Sequence, residues 1–294
     1  MAITTTILAD SIGPAGVRLT TFDIIYPRFI HAEIMTHRAF SRNAASSRAI
    51  PAKKLRERII AEPALPVFWG KNQAGMQAAE QVDDPEAFKA WWLRGLEVIA
   101  KLHEEGEAAG YHKQIVNRII EPWMHIEVIL TADQYGLANM FHQRCHKDAQ
   151  PEFQALATAM RDAVLASAPE QLKVGEWHLP LIKLEEDYPE VDRRVPHLDE
   201  DDGTIHDEAF TDFLKKISVG RCARVSYLNH NGVRSIDDDI ALHDRLKAST
   251  ESNNPGHYSP FEHQAQALWA PSTVGNFTGW KQYRKEFPNE NITK

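Results

Sequence analysis

The sequence is poor in cysteine and in positive charge. Its 294 residues include two cysteines, Cys145 and Cys222, which give no disulfide framework and suit a reducing cytoplasm. Neither cysteine lies in a recognisable nucleophile context, which argues against a cysteine-dependent mechanism. The formal net charge is -8. We therefore expect no binding to a nucleic-acid polymer, because such binding requires an excess of Lys and Arg.

Signatures of membranes, metals and common nucleotide folds are also missing. No apolar run approaches the roughly 18–20 residues of a membrane span, and the first residues lack the features of a signal peptide. We therefore expect a cytoplasmic protein with no membrane partner. Neither GxGxxG nor GxxxxGK[ST] is present, which disfavours Rossmann and P-loop sites. His142 and His146 are four residues apart, but no third ligand has a diagnostic spacing, so we predict no metal site.

The apolar patterning predicts an α+β fold in which helices outnumber strands. Residues 17–26 are rich in β-branched and aromatic side chains, which predicts a strand ending at Pro27. The acidic, proline-broken stretch 184–208 is expected to be a surface loop or an insertion. Periodicity and capping signals predict several helices. They are a short helix over 28–38, one starting at Pro51, a helical region over 76–121, and helices over 131–145 (with Thr131 as N-cap), 151–167 and 236–249.

A compact cationic segment stands against the acidic balance of the chain. Residues 36–48 contain three arginines, a histidine, three serines and an asparagine. Forked arginine donors match phosphate oxygens, and serine hydroxyls can complete a phosphate cradle. The segment is either a solvated helix end or a site for a phosphate-bearing ligand.

Two later segments also hold polar groups that a core would not need. The stretch 221–227 places two arginines and a serine in an apolar run, and 256–263 gathers two histidines, a serine and a glutamate around Pro260. There is also a weak internal repeat, because Arg38 and Arg284 are each followed five residues later by Asn. The repeat is either a duplication or a coincidence.

Together these segments resemble the flavin-dependent thymidylate synthases, the ThyX family. The family pattern RHRxxSxNxxSxR aligns without a gap on residues 36–48, with Thr36 in place of the first Arg. The family's ARVS segment is similar to 223–226, and its H-x-[ST]-P-F-E-H segment to 257–263. The family also has a later helix with an Asn, then an Arg, then the segment AQxE. The matching positions here are Asn139, Arg144 and residues 149–152, which resemble that pattern.

The order of these motifs differs from the family, in which the ARVS and PFEH segments precede RHR. The chain therefore resembles a circularly permuted member, a rearrangement that close termini allow. The resemblance covers roughly 17–50, 111–170 and 218–290. It implies a ThyX-like antiparallel sheet with flanking helices, in one domain over 1–294 with insertions at about 55–110 and 171–215.

The resemblance also implies an activity and its partners. The family converts dUMP to dTMP, with methylenetetrahydrofolate as carbon donor and bound FAD reduced by NADPH. It forms homo-oligomers, with a tetramer favoured, in which subunits share sites. In the family an arginine stabilises negative charge on the uracil ring, which is electrostatic catalysis. Arg144 is the matching residue.

Further site residues follow from the same resemblance. The substrate is expected to contact Arg144 and a set around its phosphate, namely Glu33, Ser46, Ser47, Arg48 and Arg118. The residues expected at the FAD are Thr36, His37, Arg38, Asn43, Asp133, Tyr135, Asn139, His257, Ser259, Glu262, Arg284 and Glu290.

Departures from the family pattern leave alternatives open. Glu33 replaces a Gln near the substrate phosphate, where an anion is unfavourable unless it is protonated or paired with an arginine. Asp133 and Tyr135 replace an Asn and an Arg that contact flavin. Ala44 replaces a Glu, and we hypothesise that Arg284 and Glu290 complete the motif from the far end of the chain. The alternatives are a flavoenzyme for another pyrimidine nucleotide (dCMP, or a hydroxymethyl-forming variant) and a non-catalytic nucleotide-binding relative.

Overall fold

A computed structural model describes residues 3–195, 203–227, 235–247, 256–288 and 290. In these residues there are nine strands and nine α-helices. The strands are β1 (Thr4–Ile12), β2 (Arg18–Pro27), β3 (Ser41–Ala44), β4 (His125–Asp133), β5 (Glu170–Gln171), β6 (Trp177–His178), β7 (Ala265–Ala267), β8 (Thr273–Val274) and β9 (Trp280–Gln282). The helices are α1 (His31–Ile34), α2 (Ala52–Ala61), α3 (Pro85–Ala108), α4 (Lys113–Val116), α5 (Gln134–Arg144), α6 (Pro151–Ala166), α7 (Leu184–Asp192), α8 (Gly203–Arg224) and α9 (Ile236–Leu246).

The main sheet has the order β3-β4-β2-β1-β5. Its pairs are antiparallel except β1 with β5. Apolar side chains of β2 and β4, such as Phe22, Ile24 and Val128, form a core with Phe153 and Leu156 of α6. The predicted strand over 17–26 and the helix over 151–167 are confirmed, and together they build the main core.

A second sheet, of order β6-β7-β9-β8, packs beside the first through the fully buried Trp280. Trp280 belongs to one apolar cluster with Val17 and Leu19, and its Nε1 donates to the Val17 carbonyl at 3.2 Å. The carboxy-terminal elements are therefore fixed against the amino-terminal strands, which brings distant parts of the sequence together.

The predicted helix over 131–145 begins later than expected, and Thr131 is not its N-cap. All nine residues of β4 are buried, because this apolar, β-branched run pairs with β2 on one side and β3 on the other. The strand continues to Asp133, whose carboxylate accepts from the Gly136 N–H at 2.8 Å and caps α5. The Thr131 hydroxyl instead bonds to Thr21 within the sheet.

The stretch 184–208 is not simply a loop, since α7 occupies Leu184–Asp192 and α8 begins at Gly203. Three acidic residues in the first turn of α7 favour its amino-terminal end. The side chain of Asp187 accepts from the Lys183 N–H at 2.7 Å. Residues 196–202 lie outside the described residues.

The other predicted helices are present with shifted ends. The expected helix over 28–38 consists of a 3-10 turn at Arg28–Ile30 followed by α1, which ends at Ile34. Helix α2 confirms the prediction of a helix at Pro51, and α3 lies within the predicted region 76–121. Helix α9 confirms the predicted helix over 236–249 as far as Leu246, and residues 248–249 lie outside the described residues. No helix in the described ranges is long and apolar enough to cross a membrane. The domain extent and the two insertions stay predictions.

Candidate functional site

A cavity of about 390 Å³ lies where the segment after β3 meets the carboxy-terminal part of the chain. Its lining contains five of the predicted site residues, and these come from both ends of the sequence. They are Asn43, Ser46, Arg48, His257 and Ser259.

Asn43 ties the walls of this cavity together. Its side-chain amide donates to the Cys222 carbonyl at 2.6 Å. Its Oδ1 accepts from the hydroxyls of Ser226 at 3.4 Å and Ser259 at 3.3 Å. Asn43 therefore joins β3 to the end of α8 and to the 3-10 turn at Ser259–Glu262. This buried residue is held by protein groups, so its contribution to the cavity is to fix the wall.

Among the described residues that line the cavity, Arg48 is the one arginine or lysine. It is exposed, and within the described part of the chain no carboxylate lies within ion-pair distance of it. The described lining also contains hydroxyl, imidazole and amide groups but no carboxylate. In a chain of net charge -8, this local excess of donors favours an anionic ligand.

Two predicted phosphate ligands lie beside the cavity rather than in its lining. The Ser47 hydroxyl donates to Glu121 Oε1 at 2.6 Å, and Arg118 Nη1 donates to the same oxygen at 2.8 Å. A phosphate between them would face the Glu121 carboxylate. The structure does not bring Ser47 and Arg118 to the cavity, and their role at a phosphate stays a prediction.

A second group of predicted residues surrounds Arg144. The Arg144 guanidinium donates to His37 Nε2 and Glu33 Oε2, each at 3.2 Å, and to the Thr36 hydroxyl at 3.3 Å. It also lies 4.6 Å from the Phe153 ring centroid. Glu33, a departure from the family pattern, is thus paired with an arginine, which was one of the two conditions expected for it.

His37 is neutral in this group. Burial lowers the pKa of His37 to about 4, and the positive charges of Arg144 and Arg42 act in the same direction. Because Arg144 donates to its Nε2, the ring proton is on Nδ1. His37 therefore serves as an acceptor that orients the guanidinium.

The Arg144 group includes residues that precede β3, whereas the cavity is lined by Asn43 of β3 and by residues that follow the strand. Residues 33–37 precede this strand and residues 46–48 follow it. Four strand residues span about 10 Å between their first and last Cα atoms. The predicted residues therefore form two separate groups joined by one short strand.

The predicted residues near the start of α5 are of two kinds. Asp133 is buried and accepts from the backbone N–H of Thr278 at 2.9 Å, in addition to capping the helix. Tyr135 and Asn139 are exposed on α5, and Arg38 is exposed on the adjoining segment. The two segments are in contact. Gly136 of α5 lies so close to the Phe40 ring that a Cβ added to this glycine would be 3.3 Å from it.

The carboxy-terminal candidates form an ion-pair group. Arg284 pairs with Glu262 and with Glu290, and Lys285 Nζ lies 2.6 Å from Glu290 Oε1. Burial lowers the pKa of Arg42 in β3, and the negative charge of Glu262 acts in the opposite direction. Glu262 is therefore near this strand. Asn289, the other member of the proposed repeat, lies outside the described residues. Completion of the motif from this end stays a prediction.

Several residues of the site were missed by the sequence reasoning. His112 and Gln114 line the cavity, and the His112 Nδ1 accepts from the Gln114 N–H at 3.3 Å. Asn117 bonds to the loop that carries Arg48. The weak capping signal of His112 before α4 could have drawn attention to this stretch, but nothing in the sequence places it beside residues 46–49. Among the described residues, no three His, Cys, Asp or Glu side chains are arranged to hold a metal ion.

Comparison with known proteins identifies a family for more than half of the chain. The family model of the thymidylate synthase complementing proteins matches residues 17–170. This range includes residues 36–48 and 118–152 but neither 221–227 nor 257–263, so the permuted motif order stays a prediction.

Individual relatives are distant. A flavin-dependent thymidylate synthase of Aquifex aeolicus is 27% identical over 148 residues, which are 49% of this chain and 44% of that protein. The chain thus spans less than half the length of the curated relative it matches. A UMP/dUMP methylase, PolB of Streptomyces cacaoi bound with 5-Br UMP, has a TM-score of 0.44 and 16% identity, covering 55% of this chain and 88% of the other. ThyX of Helicobacter pylori with FAD and dUMP has a TM-score of 0.36 and 22% identity, covering 50% and 67%.

Proposed function

Because the chain belongs to the thymidylate synthase complementing protein family, we propose that it is a flavin-dependent thymidylate synthase that methylates dUMP to dTMP. The observation that carries the proposal is the chemistry of the cavity around Arg48, whose described lining residues include no carboxylate. Five separate parts of the sequence contribute to this lining, namely 43–49, 112–114, 223–226, Leu246 and 257–260. A cavity of about 390 Å³ lies near the lower end of the range usual for small-molecule sites.

In this proposal the cavity holds the nucleotide phosphate. Arg48 offers a forked donor to the phosphate oxygens, and the Ser46 hydroxyl lies on the same wall. Since no described carboxylate neutralises Arg48, its charge is available to the ligand. The backbone of the loop that carries these donors is held by hydrogen bonds from Asn117, which reduces the cost of ordering the loop on binding.

Arg144 is the proposed catalytic residue. C5 of uracil is a poor nucleophile, and a guanidinium beside the ring stabilises negative charge where it develops. Thr36 and His37 accept hydrogen bonds from this guanidinium, and Phe153 packs against it. These contacts fix its orientation. Glu33 balances its charge when no pyrimidine is bound.

The residues near α5 fit the proposed FAD. Arg38, Tyr135 and Asn139 are exposed on adjoining segments, and they supply a cation for a diphosphate, an aromatic ring for stacking and an amide for hydrogen bonds. His257 is exposed at the cavity. When bound, the flavin supplies the redox chemistry with reducing equivalents from NADPH. The chain's own task is to bind and orient it.

The remaining partners are proposed from the family resemblance. They are methylenetetrahydrofolate as carbon donor and further copies of the chain, with a tetramer favoured. The Arg144 group and the cavity are two separate groups of predicted residues, which supports sites that are completed by another subunit. The two free cysteines support a cytoplasmic location.

A second candidate function is modification of a cytosine nucleotide. Its supporting observation is the Glu33–Arg144 pair, with Nη1 and Oε2 3.2 Å apart. A carboxylate accepts from the exocyclic amino group of cytosine, and an arginine beside it can donate to the ring. dCMP, or a hydroxymethyl product from either pyrimidine, is therefore the alternative.

Product analysis tests the proposal. The full chain is incubated with FAD, NADPH, methylenetetrahydrofolate and either dUMP or dCMP, and the nucleotides are separated by chromatography and mass spectrometry. We expect dTMP from dUMP. A methylated or hydroxymethylated cytosine product would favour the second function. If FAD binds but neither nucleotide changes, both proposals are wrong. Nucleotide binding without flavin binding would indicate a non-catalytic relative.

A further inference from the structure

The loop of residues 46–50, which presents Arg48, is held from behind by Asn117. The Asn117 side-chain nitrogen donates to the Ser47 carbonyl at 2.7 Å and to the Ile50 carbonyl at 3.0 Å. These two carbonyls flank Arg48 in the sequence. Asn117 is fully buried, and both hydrogens of its amide are used. Its orientation is therefore fixed by the loop that it holds.

His103 fixes Asn117 in turn. Its Nε2 lies 3.1 Å from Asn117 Oδ1, and its Nδ1 lies 3.1 Å from Arg56 Nη1. A guanidinium can only donate, so Nδ1 is the acceptor and the ring proton is on Nε2. His103 therefore donates to Asn117. Burial lowers the pKa of His103, in agreement with a neutral ring.

The hydrogen bonds continue to the surface of α3. Arg56 Nη1 donates to Glu107 Oε2 at 2.6 Å, and Glu107 is partly exposed. From Arg56 inward, each group donates to the next, since Arg56 donates to His103, His103 to Asn117 and Asn117 to the loop carbonyls. Burial of such polar groups is costly unless each finds a partner, and here each does. Arg56, His103 and Glu107 lie on α2 and α3, within the predicted insertion at about 55–110.

We infer that Arg56, His103 and Asn117 form a buried relay that positions the 46–50 loop, which makes them positioning residues for the nucleotide phosphate. The identity of the ligand rests on the proposed function, whereas the support of the loop does not. The inference gives the predicted insertion a role, because its two helices support the loop that carries Arg48.

The test replaces Asn117 by Asp, which has nearly the same shape and keeps the acceptor for His103. The substitution puts an oxygen against the Ser47 and Ile50 carbonyls in place of two donors. We expect faster hydrogen exchange in peptides covering residues 45–50. We also expect the Kd for dUMP to rise by about tenfold, the order expected for losing a buried hydrogen bond. In turnover, KM for dUMP should rise with little change in kcat.

A pair of variants at His103 separates positioning from simple packing. His103→Gln keeps an acceptor for Arg56 and a donor for Asn117, so its Kd for dUMP should stay within about threefold of wild type. His103→Leu removes both, and its Kd should rise as in the Asn117 variant. Ile217→Ala, in the apolar cluster of α7, α8 and α9, is the control. It should lower the melting temperature but leave the Kd and the exchange at 45–50 unchanged.

The inference is wrong if Asn117→Asp leaves both the exchange at 45–50 and the Kd for dUMP at wild-type values. It is equally wrong if His103→Gln weakens binding as much as His103→Leu. If the wild-type chain does not bind dUMP, the proposed function fails, and the exchange rates alone still decide whether the relay holds the loop.

Discussion

Arg48 differs from Arg144 in what surrounds its charge. Arg144 is paired with Glu33, whereas Arg48 has no carboxylate partner in the described ranges. The charge of an unpaired cation beside hydroxyl donors is available to an anionic ligand, whereas a paired cation must first break its ion pair. The difference assigns the two arginines different tasks.

Replacement of Arg48 by Ala should therefore weaken binding of dUMP. A charge-assisted hydrogen bond contributes about 1.5–3 kcal/mol, so the Kd should rise by about ten- to a hundredfold. Isothermal titration at constant salt measures this change. Lys54→Ala removes the same charge from an exposed position on α2 and should leave the Kd within about twofold. Equal effects of the two substitutions would show that only net charge matters.

Replacement of Arg144 by Ala should raise the pKa of His37. Burial is the main reason that this pKa lies at about 4, and the charge of Arg144 lowers it further. Without that charge, the pKa should move toward the ordinary value of about 6.5 but stay below it, because the burial persists. Imidazole NMR resonances followed against pH give the value. Arg161→Ala, at a half-exposed arginine of α6, is the matched control.

The same Arg144 substitution tests its proposed role in turnover. Loss of one electrostatic donor at a developing charge costs on the order of 100-fold or more in kcat. Steady-state formation of dTMP provides the measurement. An Arg144→Ala enzyme that keeps its full kcat would remove the assigned role.

Among the elements, α7 depends on a buried ion-pair network. Arg221 of α8 makes two contacts to Asp187 at 2.6 and 2.7 Å and one to Asp239 of α9 at 3.1 Å. Asp239 also accepts from Arg224 at 2.6 Å. The network joins three helices, and it explains how an acidic stretch folds as a helix against the rest of the chain.

Asp187→Ala should therefore destabilise the protein strongly. It leaves the Arg221 guanidinium buried with one fewer anionic partner, and such a loss costs about 3–5 kcal/mol. The free energy of unfolding in urea measures the effect. Glu185→Ala, at an exposed position in the same turn, should cost less than about 0.5 kcal/mol. A similar small cost for both would contradict the importance of the network.

The elements also show what the sequence can predict. Helix α6 and strand β2 have clear periodicity or composition, and both are found close to their predicted bounds. Strand β4 was missed because it is buried on both faces, so its apolar run has no alternation. The sequence predicts a loop where α7 lies, because the partner of its buried Asp187 is Arg221, 34 residues away. Sequence spacing cannot reveal that partner.

For the candidate site, the sequence predicts residue types better than their contacts. The motif resemblance identified Asn43, Ser46, Arg48, His257 and Ser259, which line one cavity. It could not reveal that Ser47 faces Glu121 or that Asn117 holds the loop. Those contacts depend on how distant helices pack, and no local pattern encodes them.

For the whole molecule, buried histidines determine the response to acid. Burial lowers the pKa of His178 and of His263 to about 3. In the unfolded chain a histidine takes up its proton near pH 6.5. Between these values the unfolded state binds more protons, so the free energy of unfolding falls as the pH falls.

The expected loss from pH 7 to pH 5 is on the order of 2 kcal/mol for each fully buried histidine. This range lies above the titration of the carboxylates, so histidines dominate the slope. His178→Gln should flatten the dependence of the urea unfolding free energy on pH. His146→Gln, at an exposed histidine, should not. A wild-type stability that is constant between pH 5 and 7 would contradict this account.

The central claim is that a nucleotide phosphate binds beside Arg48, and a crystal structure of the full chain with dUMP and FAD tests it most directly. We expect the dUMP phosphate within hydrogen-bond distance of Arg48 and the Ser46 hydroxyl, with Asn117 still bonded to the Ser47 and Ile50 carbonyls. A phosphate bound away from this cavity, with Arg48 left in solvent, would contradict the claim.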